Sequence, residues 1–231
     1  MPATHLIFDL DDTLYPERDY AVGGFRAAAR WAERELGLAV SPDRMVALLD
    51  QGLLGQLFQQ TLQEANPNHT IDDLKAFVRA YGQHTPQLNL FDDAAAALDA
   101  WQHKSKLGLI TDGHAATQHA KISALALTSR FQHIIATGAL GPDRAFHKPH
   151  PRSFELMQTA LGAPGDRFVY IGDNLSKDFV APNALGWTSV WIDRPAHRAH
   201  RIHKHTASSD GGTPQFVVHD LGELERILRK T

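Results

Sequence analysis

Short apolar runs recur along the chain with the composition of buried β-strands. They are rich in β-branched and aromatic residues and too short for helices. The predicted strands are His5–Phe8, Leu107–Thr111, His133–Ala136, Phe168–Gly172, Ser189–Ile192 and Phe216–Val218. Between most of them, helical spacing of apolar positions predicts helices over Asp92–His103, His114–Leu125, Pro151–Leu161, Asp178–Leu185 and Gly222–Leu228. Strands that alternate with helices are typical of a parallel sheet covered on both faces, so we predict an α/β fold with a Rossmann-like sheet.

One long segment interrupts this alternation. From about residue 18 to residue 84 the pattern is helical, as over Phe25–Leu36 and Ile71–Tyr81, and contains no convincing strand. Helix breaks are predicted at Gly37, Ser41-Pro42, Gly52, Gly55 and Asn66-Pro67. We therefore predict an α/β core of residues 1–15 and 86–231, with residues 16–85 inserted as a helical cap after the first strand. We expect such an insertion to act as a lid over the C-terminal edge of the sheet.

The composition narrows the classes of function. The chain of 231 residues is 43% hydrophobic and 21% charged, and its net charge of −3 gives no reason to expect nucleic-acid or membrane binding. The chain has no cysteine, which excludes disulfides, thiolate zinc sites and cysteine nucleophiles. No apolar run approaches the roughly 20 residues that span a bilayer. No signal-peptide pattern follows Met1, so we expect a cytoplasmic protein.

Two carboxylates follow the first predicted strand. Asp9 and Asp11 come directly after Leu6-Ile7-Phe8, and alternation along an extended chain should project both to one side. They would lie at the C-terminal edge of the sheet, where open α/β sheets bind ligands. Neighbouring carboxylates repel each other, so a metal ion, a shared proton or both must offset the cost. Asp also favours turns and helix starts, so the pair alone has a structural explanation.

Three further polar signals follow later strands. The second strand ends at Thr111, and the Asp112-Gly113 turn after it can present backbone N–H groups to an anion. Lys148 lies in a proline-stiffened loop, and Asp173 and Asp178 follow the fourth strand. A turn, a solvated lysine and a helix cap would explain each signal alone. Their occurrence together and in this order is harder to explain that way.

In order and spacing these residues resemble the four sequence motifs of the haloacid dehalogenase (HAD) superfamily, over nearly the whole chain. The matching residues are Asp9-Leu10-Asp11-Asp12-Thr13, Ile110-Thr111-Asp112-Gly113, Lys148-Pro149 with Phe154, and Gly172-Asp173-Asn174 with Asp178. The resemblance implies that residues 16–85 form a C1-type cap of subfamily I. It also implies that Asp9 is the nucleophile, forming an aspartyl-phosphate, and that Asp11 is the general acid and base.

The resemblance further implies how a phosphoryl group and a Mg²⁺ cofactor are held. The phosphoryl oxygens would be held by Thr111, by the backbone N–H groups around Asp112 and Gly113, and by Lys148. Mg²⁺ would be bound by Asp9, the backbone carbonyl of Asp11 and Asp173, while Asp178 would orient Lys148 or support the metal through water. The presence of Asp11 favours a phosphatase, because haloacid dehalogenases and phosphonatases usually lack this second Asp. The expected substrate is a small phosphorylated metabolite, such as a sugar phosphate or nucleotide monophosphate.

Several alternatives stay open. A phosphosugar mutase keeps the second Asp, and a catalytically silent phosphate-binding protein could share the fold. A receiver-type signalling domain ranks low, because it has its phosphorylated Asp on a middle strand of a much shorter chain. Glycine-rich motifs of P-loop and Rossmann cofactor enzymes are missing from the sequence. The His/Arg-rich segment 194–205 could bind a polyanion or a metal, but a solvated loop is the simpler interpretation. Tyr15 could line the entrance, although a structural role is the simpler one, and the oligomeric state is open.

Overall fold

The structure is a computed structural model that describes residues 2–202 and 207–229. These residues form two compact units. One unit consists of residues 2–16 and 89–229 of the described chain, and the other of residues 17–88. The chain therefore leaves the first unit directly after its first strand and returns to it after the helical segment.

The unit of residues 17–88 is helical. Its helices are α1 (Glu17–Leu36), α2 (Pro42–Asp50), α3 (Leu57–Ala65) and α4 (Ile71–Gly82). The start of α4 is fixed by a capping box between Thr70 and Asp73. Helix α1 begins earlier than the predicted Phe25, and Gly24 within it is a packing position. A Cβ atom at Gly24 would overlap the Tyr81 ring of α4.

The other unit contains a six-stranded parallel sheet, as predicted. Its strands are β1 (Thr4–Phe8), β2 (Leu107–Thr111), β3 (His133–Ala136), β4 (Arg167–Gly172), β5 (Thr188–Ile192) and β6 (Phe216–Val218). The strand order is β3-β2-β1-β4-β5-β6. At the C-terminal end of β1, Phe8 pairs with Leu109 of β2 and Ile171 of β4. The strand that precedes Asp9 is thus central, with the ends of β2 and β4 on either side.

Helices follow the strands of this unit. They are α5 (Asp92–Trp101), α6 (Ala115–Ala124), α7 (Arg152–Leu161), α8 (Val180–Ala184) and α9 (Leu224–Leu228), with 3₁₀ turns at Thr137–Ala139, Pro195–His200 and Leu221–Glu223. Phe154 and Met157 of α7 join Ile7 and Ile110 of the sheet in one buried cluster. Helix α8 is shorter than predicted, and its start at Val180 keeps its proline in the first turn. Among the described residues no helix is both long enough and apolar enough to cross a membrane.

Candidate active site

Polar side chains from three adjacent strands meet at the C-terminal edge of the sheet. Asp9 follows β1, Thr111 is the last residue of β2, and Asp173 follows β4. Lys148 comes from the loop between β3 and α7, and Asp178 from the turn between β4 and α8. The strand order brings these residues together although the chain separates them widely, which is the usual position of a ligand site in this fold class.

Lys148 is the central cation of this edge. Its ammonium Nζ lies 2.6 Å from Asp9 Oδ1 and 2.7 Å from Asp178 Oδ1, and it donates to the Tyr170 hydroxyl at 2.9 Å. Its side chain is fully buried. Burial alone would lower the pKa of Lys148, but the charges of Asp178 and Asp9 raise it well above its usual value. The Lys148 ammonium group is therefore held between two buried carboxylates that favour its charged form.

Three buried carboxylates form a cluster that includes both acidic partners of this cation. Asp9, Asp173 and Asp178 each have an oxygen within 4.8 Å of the others. Burial raises the pKa of Asp9 to about 6, with Lys148 opposing and Asp178 adding to the effect. Burial and the charges of Asp178 and Asp9 raise the pKa of Asp173 well above its usual range. The cluster offers only oxygen ligands and carries more negative charge than Lys148 neutralises. Such a site fits a hard divalent cation such as Mg²⁺.

Asp178 has a fixed place in this cluster. Its Oδ2 accepts from the backbone N–H of Asn174 at 2.9 Å. A Cβ atom on Gly172 would lie 2.5 Å from the same oxygen, so only glycine permits this approach of the carboxylate to the end of β4. Asp178 was predicted as a support of Lys148 or of the metal; its carboxylate contacts Lys148 and belongs to the cluster with Asp9 and Asp173.

The side chain of Asp11 has a separate set of partners. Lys121 Nζ lies 2.7 Å from Asp11 Oδ1, which also accepts from the Tyr15 hydroxyl. Gln118 Nε2 donates to Asp11 Oδ2 at 3.0 Å. Burial raises the pKa of Asp11, but the charge and hydrogen bond of Lys121 and the hydrogen bonds of Tyr15 and Gln118 bring it below its usual value. Both oxygens of Asp11 are thus fixed by donors.

Gln118 and Lys121 were not singled out from the sequence. They lie on the buried side of α6 with Ile122, and Leu125 continues the same side. This is the three- and four-residue spacing of a core-facing stripe. Polar residues at two positions of that stripe are the signal that could have identified them, because a buried lysine needs a partner.

Thr111 is fully buried, and its Oγ1 accepts from Gln118 Nε2 at 2.6 Å. The same amide donates to the backbone carbonyl of Asp112. Gly113 has a φ of +129°, which favours glycine. A Cβ atom on Gly138 would overlap the carbonyl oxygen of Gly113, so the turn after β2 packs directly on the 3₁₀ turn after β3.

The Asp112 side chain connects three segments, whereas the sequence suggested a role only for its backbone. Asp112 Oδ1 accepts from Thr137 Oγ1 at 2.8 Å and from the backbone N–H of Lys148 at 3.1 Å. Lys177 Nζ, a second cation that sequence reasoning missed, donates to Asp112 Oδ2 at 2.8 Å. Burial opposes ionisation, but Lys148, Lys177 and these hydrogen bonds lower the pKa of Asp112 to about 2. This carboxylate therefore fixes the lysine loop to the end of β2.

The interpretation of segment 194–205 as a solvated loop is wrong for part of it. Arg194 is only 6% exposed and donates to Asp93 and to the carbonyl oxygen of Thr13. The side chain of Arg201 is 8% exposed, and its Nε lies 4.0 Å from Asp173 Oδ2. These arginines pair with internal acceptors, which the amino-acid composition alone does not reveal. Arg198 pairs with Asp193 but is largely exposed, and His203, Lys204 and His205 lie outside the described residues.

Comparison with known proteins gives consistent matches. Residues 6–192 match the family model of haloacid dehalogenase-like hydrolases. The chain is 27% identical to glyceraldehyde 3-phosphate phosphatase of Methanopyrus kandleri, with 97% of each chain covered. It is also 27% identical to pyrophosphatase PpaX of Listeria monocytogenes, with 98% of this chain and 96% of the relative covered. The crystal structure of the magnesium-bound HAD-hydrolase YfnB of Bacillus subtilis matches with a TM-score of 0.68 at 20% identity, covering 99% of both chains.

Proposed function

Since the chain belongs to the haloacid dehalogenase-like hydrolase family, we propose that it is a magnesium-dependent phosphomonoester hydrolase. The observation that carries the proposal is the contact of Lys148 with Asp9 inside a cluster of buried carboxylates, at the ligand-binding edge of the sheet. Two relatives named as phosphatases, matched over almost the whole chain, support the same reaction class.

In the first half of the proposed reaction, an Asp9 carboxylate oxygen attacks the substrate phosphorus. The bond from phosphorus to the leaving oxygen breaks, and Asp11, in its protonated form, supplies the proton that this oxygen takes up. The product alcohol leaves, and Asp9 carries the phosphoryl group. In the second half, water attacks the same phosphorus and gives its proton to Asp11. The bond to Asp9 breaks, its electron pair returns to the Asp9 carboxylate, and inorganic phosphate is released.

Binding of an anionic phosphate beside an anionic nucleophile requires positive charge and hydrogen-bond donors. Lys148 supplies the charge, and Asp178 holds it at 2.7 Å. We assign the remaining phosphoryl contacts to Thr111 and to the backbone N–H groups around Asp112 and Gly113. Asp178 is therefore a positioning residue for Lys148 in this proposal.

The acidic cluster would hold Mg²⁺ through Asp9, the Asp11 backbone carbonyl and Asp173. The bound cation supplies positive charge beside the transferred phosphoryl group. The oxygen donors and the raised pKa of Asp173 support this assignment, because excess negative charge is what a divalent cation would neutralise. Mg²⁺ should therefore bind more weakly when Asp173 is neutral.

We assign the helical unit of residues 17–88 the role of a C1-type cap that selects the substrate. The proposed substrates are small phosphorylated metabolites, either sugar phosphates or nucleotide monophosphates. The activities named for the relatives, on glyceraldehyde 3-phosphate and on pyrophosphate, add two compounds that deserve direct testing. A phosphosugar mutase uses the same first half-reaction and is the second candidate, because Asp11 is present.

The test is release of inorganic phosphate from an aryl phosphate and from a panel of metabolites. The panel contains glyceraldehyde 3-phosphate, pyrophosphate, hexose phosphates and nucleotide monophosphates, each with Mg²⁺ or with EDTA. We expect release that requires Mg²⁺, and a phosphoryl group on the peptide containing Asp9 in acid-quenched protein. Asp9→Asn should abolish both signals.

Asp143→Asn is the matched control, because the same substitution is made at an exposed position. It should retain the wild-type rate. Absence of phosphate release from every substrate, by folded wild-type protein, would contradict the hydrolase proposal. Isomerisation of a sugar phosphate without phosphate release would identify a mutase, and phosphate binding without any reaction would identify a silent binding protein.

A further inference from the structure

Helix α6 places a buried lysine against the proposed acid and base. Lys121 is 4% exposed and Gln118 1% exposed, and the two are three residues apart on one side of the helix. Burial of a charged lysine is unfavourable unless a carboxylate compensates it. Asp11 is that carboxylate, at 2.7 Å, and its own side chain is 20% exposed. The buried lysine therefore supports Asp11 from beneath, while Asp11 keeps access to solvent.

The three donors around Asp11 leave its carboxylate little freedom to rotate. Lys121 and the Tyr15 hydroxyl share Oδ1, and Gln118 holds Oδ2. The Gln118 amide also donates to Thr111 Oγ1. One amide therefore links the carboxylate of Asp11 to the residue assigned to hold a phosphoryl oxygen. If the ion pair of Lys121 with Asp11 served only to attach α6 to the sheet, it would need neither the Gln118 bond to Asp11 Oδ2 nor the link to Thr111.

We propose that Lys121, together with Gln118, is a positioning residue that fixes the Asp11 carboxylate for hydrolysis of the phosphorylated Asp9. The proposal rests on the proposed function and deepens it. In this half-reaction Asp11 accepts the proton of the attacking water, so it must present an oriented carboxylate with a free lone pair. Lys121 and Gln118 hold it in that form without touching substrate. Loss of Lys121 should therefore slow breakdown of the phosphorylated enzyme more than its formation.

The experiment measures hydrolysis of an aryl phosphate with a good leaving group. Such a leaving group needs little proton donation in the first half-reaction. For Lys121→Met we expect a burst of aryl alcohol followed by slow turnover. The steady-state kcat should fall on the order of tenfold or more, which is part of the roughly 10²–10⁴-fold effect of a general base. KM should not rise, and acid-quenched protein should carry more phosphoryl-Asp9 than wild type. Lys104→Met, at an exposed lysine remote from the site, is the matched control and should leave kcat unchanged.

A double-mutant cycle with Asp11→Asn separates positioning from a merely structural role. If Lys121 acts through Asp11, Lys121→Met should add almost no further loss in the Asp11→Asn background. The double variant also removes both charges, so it provides a folded reference if Lys121→Met alone is destabilised. Equal losses in the two backgrounds, or a Lys121→Met enzyme without burst or phosphoryl accumulation, would overturn the inference while the hydrolase proposal stands. Inactive wild-type protein would overturn both.

Discussion

The contribution of the Asp112 carboxylate to stability can be measured directly. This carboxylate connects the loop that carries Lys148 to the end of β2. Its pKa lies at about 2 instead of the ordinary 3.8. A difference of one pKa unit corresponds to about 1.4 kcal/mol. Ionised Asp112 therefore contributes about 2 kcal/mol to the free energy of unfolding near neutral pH. Asp112→Asn keeps the shape of the side chain and removes this contribution.

The sign of the pH dependence follows from the lowered pKa. Because the folded protein binds the proton of Asp112 less tightly than the unfolded chain, the contribution is complete above the unfolded pKa. It is lost as the pH falls through the folded value. The difference between wild type and Asp112→Asn should thus be about 2 kcal/mol at neutral pH, about half of that near pH 3, and close to zero below pH 2.

Urea unfolding followed by tryptophan fluorescence measures this difference. Trp101, Trp187 and Trp191, three of the four tryptophans, lie in the unit that contains Asp112. The exposed Asp143→Asn control should change the unfolding free energy by no more than about 0.5 kcal/mol. A neutral-pH difference as small as that of the control would refute the reasoning. So would a difference that stays constant down to pH 3, because it would then not come from the charge.

Three further changes test other contacts of the site. Gly172→Ala places a methyl group 2.5 Å from an Asp178 oxygen that is already fixed. The substitution should therefore lower the unfolding free energy by about 1–3 kcal/mol, and unchanged urea unfolding would contradict this packing. Arg194→Met leaves Asp93 without its buried partner and should lower the unfolding free energy by about 3–5 kcal/mol. Adding Asp93→Asn to this variant should recover part of the loss in the same assay. Asp173→Asn removes a buried charge that its neighbours disfavour, so the metal-free protein should melt at a higher temperature in EDTA. Its melting temperature should no longer rise with Mg²⁺; a Mg²⁺ response equal to that of wild type would exclude Asp173 as a ligand.

The parallel sheet was predictable because each strand is a short apolar run with a clear boundary. All six strands are present, and three of them begin one residue earlier than predicted. The start of α1 was not predictable in the same way. The pattern suggested that the helix begins at Phe25, whereas Gly24 is helical and close to Tyr81 of α4, a contact that local spacing cannot reveal.

The candidate site was likewise predictable only in part. Asp9 and Asp173 could be selected from the sequence because they directly follow strands whose ends share one edge, and Lys148 because the order of these residues resembles the motifs of a known family. The environment of each side chain could not, because it depends on residues far away in the chain. Lys121 occupies a core-facing position of its helix, but the sequence does not reveal that its partner is Asp11, 110 residues away. The role of the Asp112 side chain was not predicted either, because its partners are also distant in the sequence.

The central position of β1 has a consequence for synthesis of the protein. Asp9, the proposed nucleophile, is translated almost first, but its strand has no sheet partner until β2, beginning at Leu107, has been made. Its counter-charge Lys148 comes 139 residues later, and β4 completes the other side only after that. Contacts so distant in sequence close slowly, and an unpaired strand edge is prone to wrong pairing. On the ribosome, the first strand therefore stays unpaired while the helical unit is synthesised, and the proposed active site is incomplete until three-quarters of the chain has emerged.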